Sequence, residues 1–346
     1  MMREIAEKTA RRMITIANDG FGEECPISII DMNKWEWAQG VGLYGLYRYC
    51  CADGACGYMD FLIDWYDARL AEGLPEKNVN TCAPLLTLTY LYERTKKPAY
   101  LAVIREWAAW VAEDMPRTED GGLQHITTGI ENKGQLWADT LFMTNLFFAR
   151  AGVILDKPEY IDESKRQFLI HIKYLFDRES GLWFHGWSFP RRDNFSAVHW
   201  GRGNCWYTAG VVDYLEMVDV EPFFRKYLTD TLISQVEALA KYQCADGMWR
   251  TIIDDEASYK ETSATAGFAY GILKAVRLGY IDKKYEKTGR DALAAVIRQI
   301  GGDGEVRGVS YGTPVFDTAA EYKNVPLCPM TYGQALALLC ITEGLI

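Results

Sequence analysis

Residues 138–149 read Ala-Asp-Thr-Leu-Phe-Met-Thr-Asn-Leu-Phe-Phe-Ala. Past Asp139 the run is apolar nearly all round, the pattern of a helix buried on every side. The same kind of run, a small-residue start followed by aromatic and aliphatic residues, recurs at Gln39–Leu46, Cys82–Leu88, Gly203–Ala209, Thr265–Gly271 and Tyr332–Leu338. Between these six runs lie stretches with apolar residues at helical spacing and charged opposite faces. They are Tyr100–Glu113, Tyr160–Leu175, Phe223–Tyr242 and Tyr285–Ile300. A second element repeats out of phase: an acidic residue or Ser, then Gly, then an apolar residue. It occurs at Asp120–Leu123, Ser180–Trp183, Asp246–Trp249 and Asp303–Val306, 57 to 66 residues apart. Gly in each can take a positive φ and end a helix.

Six buried helices alternating with amphipathic ones predict an all-α fold, an (α/α)6 barrel with one ring of helices inside another. Residues 1–346 would then form one domain, since no Pro/Ser/Gly-rich linker divides them. Two helical domains are the alternative. Period-two alternation is confined to Leu182–Phe184 and Trp249–Ile253. Loops at the starts of the inner helices would line a common mouth, where functional residues should cluster.

Composition narrows the function. The chain has 37 Lys plus Arg against 47 Asp plus Glu, a net charge of −10, and its nearest approach to a basic patch is Lys283–Lys284. That excludes a nucleic-acid binder. No run of eighteen apolar residues occurs, so no membrane-spanning helix is expected. Met1–Ala17 carries charges every few residues, which predicts an amphipathic helix rather than a signal peptide. Nine Cys with no C-x-x-C pair point to reduced thiols in the cytoplasm, without a structural zinc or a disulfide framework. G-x-S-x-G, H-E-x-x-H and G-x-x-x-x-G-K-[ST] are absent, and Gly201-x-Gly203 lacks a third Gly. Asp254–Glu256 reads as an exposed acidic turn. No metal and no cofactor are expected.

Five places put polar residues where buried helices begin. Asp139 follows Gln135-Leu-Trp137-Ala. It fits a first-turn acid, or a partly buried carboxyl whose raised pKa suits it to donate a proton. His185-Gly-Trp187 is the second. The third is His199-Trp200-Gly-Arg202-Gly-Asn204-Cys-Trp206, where Gly lets backbone approach a ligand and Arg can grip a carboxylate with two parallel hydrogen bonds. The alternative is a tight turn with a surface Arg stacked on Trp. His125 follows one repeat turn, and Tyr259–Ala266 fits a capped helix start.

Together the strings WADTLFM at 137–143, HGW at 185–187, WGRGNCW at 200–206 and YKETSA at 259–264 resemble glycoside hydrolase family 105. These are unsaturated rhamnogalacturonyl hydrolases, related to the unsaturated glucuronyl hydrolases of family 88. The resemblance runs from about Trp35 to Tyr332 and implies an (α/α)6 barrel. It also implies removal of a Δ4,5-unsaturated uronic acid from short pectin-derived oligosaccharides by hydration of the C4–C5 double bond. On this resemblance Asp139 is the catalytic acid and base, and Trp137 forms part of the sugar wall. His125 and His185 stand near the substrate. Trp200, Arg202 and Trp206 form the uronate site, with Arg202 on the carboxylate, and Trp37 lines the pocket. Many members carry a second Asp in N-x-D-x-x-x-P; here Asn78–Pro84 places Asn80 there. An amide can hold a water or a hydroxyl but cannot act as a base.

Three alternatives stay open. One is a β-linked unsaturated glucuronyl hydrolase. Another is a sugar isomerase or epimerase that pairs His125 with His185. The last is a carbohydrate-binding protein without catalysis.

Overall fold

The computed structural model describes residues 1–16, 31–53 and 57–346. Its helices begin with α1 (Met2–Thr15), α2 (Trp37–Asp53), α3 (Tyr58–Glu72), α4 (Val79–Thr95), α5 (Pro98–Glu113), α6 (Leu146–Leu155) and α7 (Pro158–Leu175). They continue with α8 (Gly201–Met217), α9 (Pro222–Tyr242), α10 (Thr262–Arg277), α11 (Glu286–Arg298), α12 (Ala319–Lys323) and α13 (Thr331–Leu345). A π-helical turn, Leu141–Asn145, leads into α6.

Six helices close a ring: α2 packs on α4, α4 on α6, α6 on α8, α8 on α10, α10 on α13, and α13 back on α2. These hold the six runs read as buried all round. Every residue of α8 from Gly201 to Leu215 is buried, as is every residue of α13 from Thr331 to Glu343. Outside them α1 covers α13, α5 covers α4 and α6, α7 covers α6, α9 covers α8, and α11 covers α10 and α13. α3 packs on α2; sequence periodicity did not single it out. Pro98, Pro158 and Pro222 open α5, α7 and α9, at the position where a missing N–H costs nothing.

The four repeat turns adopt the expected left-handed Gly, with φ of +82°, +79°, +87° and +89° at Gly121, Gly181, Gly247 and Gly304. They do not end helices, however; each lies several residues beyond a helix end. Their second requirement is closeness. A Cβ at Gly181, Gly247 or Gly304 would strike backbone of α9, α11 or α1 respectively. The turns thus seat against the outer ring.

Two short antiparallel ladders decorate the mouth. β1 (Gln135–Trp137) pairs with β2 (Gly186–Ser188), and β3 (Trp249–Arg250) with β4 (Lys260–Glu261). Strands of two or three residues are too short to show alternation. The first ladder brings Trp137 opposite Gly186 and sets Asp139 beside the His185 segment, with the Ala138 N–H donating to the His185 carbonyl at 2.9 Å.

At the opposite end the inner helices finish in a buried charge cluster. Lys274 is fully buried and donates to Asp213 at 2.5 Å and Glu216 at 2.6 Å. Burial opposes ionisation of Glu216, but Lys274 and Arg48 outweigh it and hold its carboxyl at about 2. Cations here also meet the negative ends of the helix dipoles. Lys274→Met should cost about 3–5 kcal/mol, because Asp213 would stay buried without its cation. A denaturant midpoint equal to that of the parent protein would refute this.

Cys50 is disulfide-bonded, contrary to the expectation of reduced thiols throughout. Cys51, Cys82, Cys205, Cys244, Cys328 and Cys340 are free. Among the described residues no helix is long and apolar enough to cross a membrane.

Candidate active site

A cavity of about 350 Å³ opens at the end of the ring where the inner helices start. Eight of the nine residues anticipated from sequence line it: Trp37, Asn80, His125, Trp137, Asp139, Trp200, Arg202 and Trp206.

The side chains form an arc. Trp37 stacks on Tyr332 with centroids 4.5 Å apart. The Arg202 guanidinium lies between Tyr332 at 4.8 Å and Trp200 at 4.6 Å. Trp200 meets His185 at 4.0 Å, His185 meets Trp137 at 5.6 Å, and Trp137 meets His125 at 3.9 Å. The arc ends where His125 Nε2 lies 3.1 Å from Asp139 Oδ2.

Burial sets the protonation states. Desolvation pushes the Asp139 carboxyl up to about 7; nearby backbone N–H groups and Arg202 hold it from rising further. Desolvation, helped by His171, pushes His125 down to about 3. At neutral pH, therefore, a carboxyl poised to give up a proton faces a neutral imidazole. Asp139 Oδ1 is buried without a partner. Both halves of this pair follow from one cause, removal from water. Glu36 is also pushed up to about 7 by burial, but it lies outside the cavity wall.

Two sequence expectations need correction. His185 does not line the cavity. It backs the wall between Trp137 and Trp200, bonds Tyr322 Oη through Nδ1 at 2.7 Å, and burial holds its pKa well down. An isomerase that pairs His125 with His185 therefore lacks its second group at the cavity. Arg202 is not free to fork onto a carboxylate either. It is 1% exposed. Nη1 donates to Ser310 (carbonyl at 3.1 Å), and Nη2 donates to the Tyr311 carbonyl at 2.9 Å and Thr313 Oγ1 at 3.0 Å. Glu261 stands 3.9 Å away as counter-charge. Arg202 fixes the 310–313 loop and contributes its positive charge. Its Nε is left without a partner.

The Tyr259–Ala266 segment behaves as a capped helix start: Glu261 caps α10 by accepting from the Ala264 N–H at 2.6 Å. It serves the site through Glu261, which faces Arg202 and accepts from the Ser310 N–H at 2.8 Å. Asn80 sits in the first turn of α4, behind the Asn78–Thr81 capping box. Sequence reading missed the rim, which includes Ile130, Asn132, Arg191, Phe195 and Thr313–Val315 with Asp317. Arg192, Phe195 and Ala197 all take positive φ without being Gly, a local strain that composition does not reveal. Asp254 bonds His199 at 2.7 Å. Among the described residues no cluster of His, Cys, Asp and Glu could hold a metal.

A double ring of helices around a tryptophan-walled cavity with a partly buried acid is the framework of a helical carbohydrate-active enzyme. The sequence model of Glycosyl Hydrolase Family 88 matches residues 5–345, and the chain belongs to that family. It is 33% identical over 337 residues to the unsaturated rhamnogalacturonyl hydrolase YesR of Bacillus subtilis, covering 94% of this chain and 96% of that one. It is 27% identical over 216 residues to an unsaturated 3S-rhamnoglycuronyl hydrolase of an Alteromonas species, covering 61% and 51%. A crystal structure from Klebsiella pneumoniae, described as a possible member of the GH105 family, matches with a TM-score of 0.96 at 42% identity, covering 99% of this chain and 92% of that one. The protein is a glycoside hydrolase, as the strings at 137–143 and 200–206 led us to expect.

Proposed function

We propose that this enzyme removes a Δ4,5-unsaturated uronic acid, galacturonyl linked to rhamnose, from the non-reducing end of short pectin-derived oligosaccharides. One observation carries the reading: the Asp139 carboxyl in the cavity wall is raised to about 7 and sits beside neutral His125. Asp139 gives its proton to C4. Water adds its oxygen at C5 and returns a proton to the Asp139 carboxylate. The hemiketal at C5 opens, and the aglycone leaves as an alcohol. Arg202 favours the uronate anion through its charge, while Trp37, Trp137, Trp200 and Trp206 offer faces to the sugar, and Asn80 an amide to a hydroxyl or water. Residues 1–346 act together as one catalytic domain.

The test is ultraviolet absorbance over time with unsaturated rhamnogalacturonan disaccharide, since hydration removes the absorbing double bond. A falling signal supports the reading. A flat signal that falls with unsaturated glucuronyl disaccharides instead would move the substrate to that class. Asp139 must start protonated, so kcat should decline above about pH 7. A rate that keeps rising through pH 8 would take the proton-donor role from Asp139. The six free cysteines among the described residues lead us to place the enzyme in the cytoplasm, which cell fractionation would check.

A further inference from the structure

The cavity wall changes character toward the rim. Asp139 and Arg202 are withdrawn from solvent, with side chains 17% and 1% exposed. The rim adds apolar groups: Ile130, Phe195, Pro314 and Val315. Ile130 is 52% exposed, and the other three are half-buried. A cluster of apolar side chains left in reach of water at the edge of a cavity marks a surface that a ligand covers.

Phe195 is set in place at a cost. Its φ of +59° is one that a bulky residue rarely takes, and Arg192 and Ala197 on either side share the left-handed region. Several hydrogen bonds hold the segment there. The Phe195 N–H donates to Asp193 Oδ1 at 3.1 Å, and the Ser196 N–H to the Phe316 carbonyl at 3.4 Å. Asn194 Nδ2 donates to the Tyr174 carbonyl at 3.1 Å and the Gly186 carbonyl at 3.0 Å. Strain persists where the surroundings over-determine it, and it collects at ligand sites. Gly186 seats the ring: an added Cβ there would lie 3.2 Å from Phe195 Cε2 and 3.0 Å from Val315 Cγ2. The Arg191 guanidinium lies 4.8 Å from the ring centre. It is shared between Asp193, at 3.2 Å, and Asp317. Among the described residues that line the cavity the cations are Arg191 and Arg202, and both are committed to protein partners.

When the C4–C5 double bond of a terminal uronate reaches Asp139, the sugar bonded to its C1 lies toward the rim. We propose that the apolar rim seats this attached sugar, and that Phe195 and Ile130 select there for a 6-deoxy sugar. The inference rests on the reading of this cavity as the uronate site. A C6 methyl group gains by leaving water against Phe195. A C6 hydroxyl would lose its water without finding a partner on an apolar surface. A C6 carboxylate or sulfate would find the nearby cation already paired.

The test compares two disaccharides by ultraviolet absorbance: the unsaturated galacturonyl unit linked to rhamnose, and the same unit linked in the same way to L-mannose, which differs only by an oxygen on C6. The parent enzyme should prefer the rhamnose compound by about ten- to hundredfold in kcat/KM. Phe195→Gly should fold, because Gly takes a positive φ freely. It should reduce the preference to less than about threefold, chiefly by raising KM for the rhamnose compound while kcat stays within about threefold. Phe195→Leu, still apolar, should keep most of the preference. A merely structural role would slow both substrates alike and leave the ratio in place, which would overturn the proposal. Should Phe195→Gly not fold, Ile130→Ser changes an exposed side chain, and an undiminished ratio in that variant would overturn the proposal equally. A parent enzyme that turns over both compounds equally sinks the rim inference alone. A parent enzyme inert on both sinks the uronate reading and this inference with it.

Discussion

The Asp139→Asn variant should lose about a hundred- to ten-thousandfold in kcat and keep its fold and its affinity for the unsaturated disaccharide. The amide preserves shape and can still face His125 Nε2, which lies 3.1 Å from the carboxyl today. It cannot give a proton to C4 or take one from water. Binding should survive because the arc from Trp37 to Trp137 is untouched. Stability gives an independent readout. Folding raises the Asp139 carboxyl from the ordinary carboxylate range to about 7. The folded state therefore holds this proton more tightly, so the contribution is full below about pH 4 and is lost as pH rises to about 7. The Asn variant should lack that decline. Turnover within tenfold of the parent, measured by ultraviolet absorbance, would remove Asp139 from the chemistry.

Arg202→Ala should be damaging in a different way. A simple carboxylate contact would raise KM and leave the fold alone. Here the guanidinium is 1% exposed and holds Ser310, Tyr311 and Thr313. Its loss takes the counter-charge from Glu261, also 1% exposed, and leaves the loop that carries Thr313 to Val315 into the cavity wall held at Ser310 by the Glu261 carboxylate but no longer at Tyr311 and Thr313. Removal of one partner from such a buried pair costs about 3–5 kcal/mol. The denaturant midpoint should fall, KM should rise and kcat should fall together. Arg202→Lys should not rescue, since an ammonium cannot lie flat between Trp200 and Tyr332 while reaching three loop residues. An unchanged midpoint with only KM raised would restore the simple contact.

How much of this was legible beforehand depends on the range of the interactions. The ring was legible because buried and amphipathic helices differ in composition over spans as long as Phe223–Tyr242, and because the Gly turns repeat. Asp139, Trp137 and Arg202 were legible because polar groups stand out at the head of apolar runs. The rim was not, because distant segments assemble it: Arg191 and Asp317 meet across 126 residues. The occupation of the Arg202 donors depends on a loop more than 100 residues downstream. Residue type announces a capacity to bind, and tertiary pairing decides where that capacity goes.

Below the cavity's Trp206, Phe142 packs tilted against its ring and meets Tyr44 edge to face, above the Lys274 cluster. The toroid is therefore a cup and not a tunnel. A polysaccharide cannot thread through it; only a chain terminus can descend to Asp139, so cleavage proceeds one residue at a time from an end. The same doorway must release both products. On the proposed reaction the aglycone, nearest the rim, would depart first, and the freed uronate would follow it out. The freed sugar acid should then compete with fresh substrate, and accumulation of this product, more than scarcity of chain ends, would slow the enzyme late in digestion.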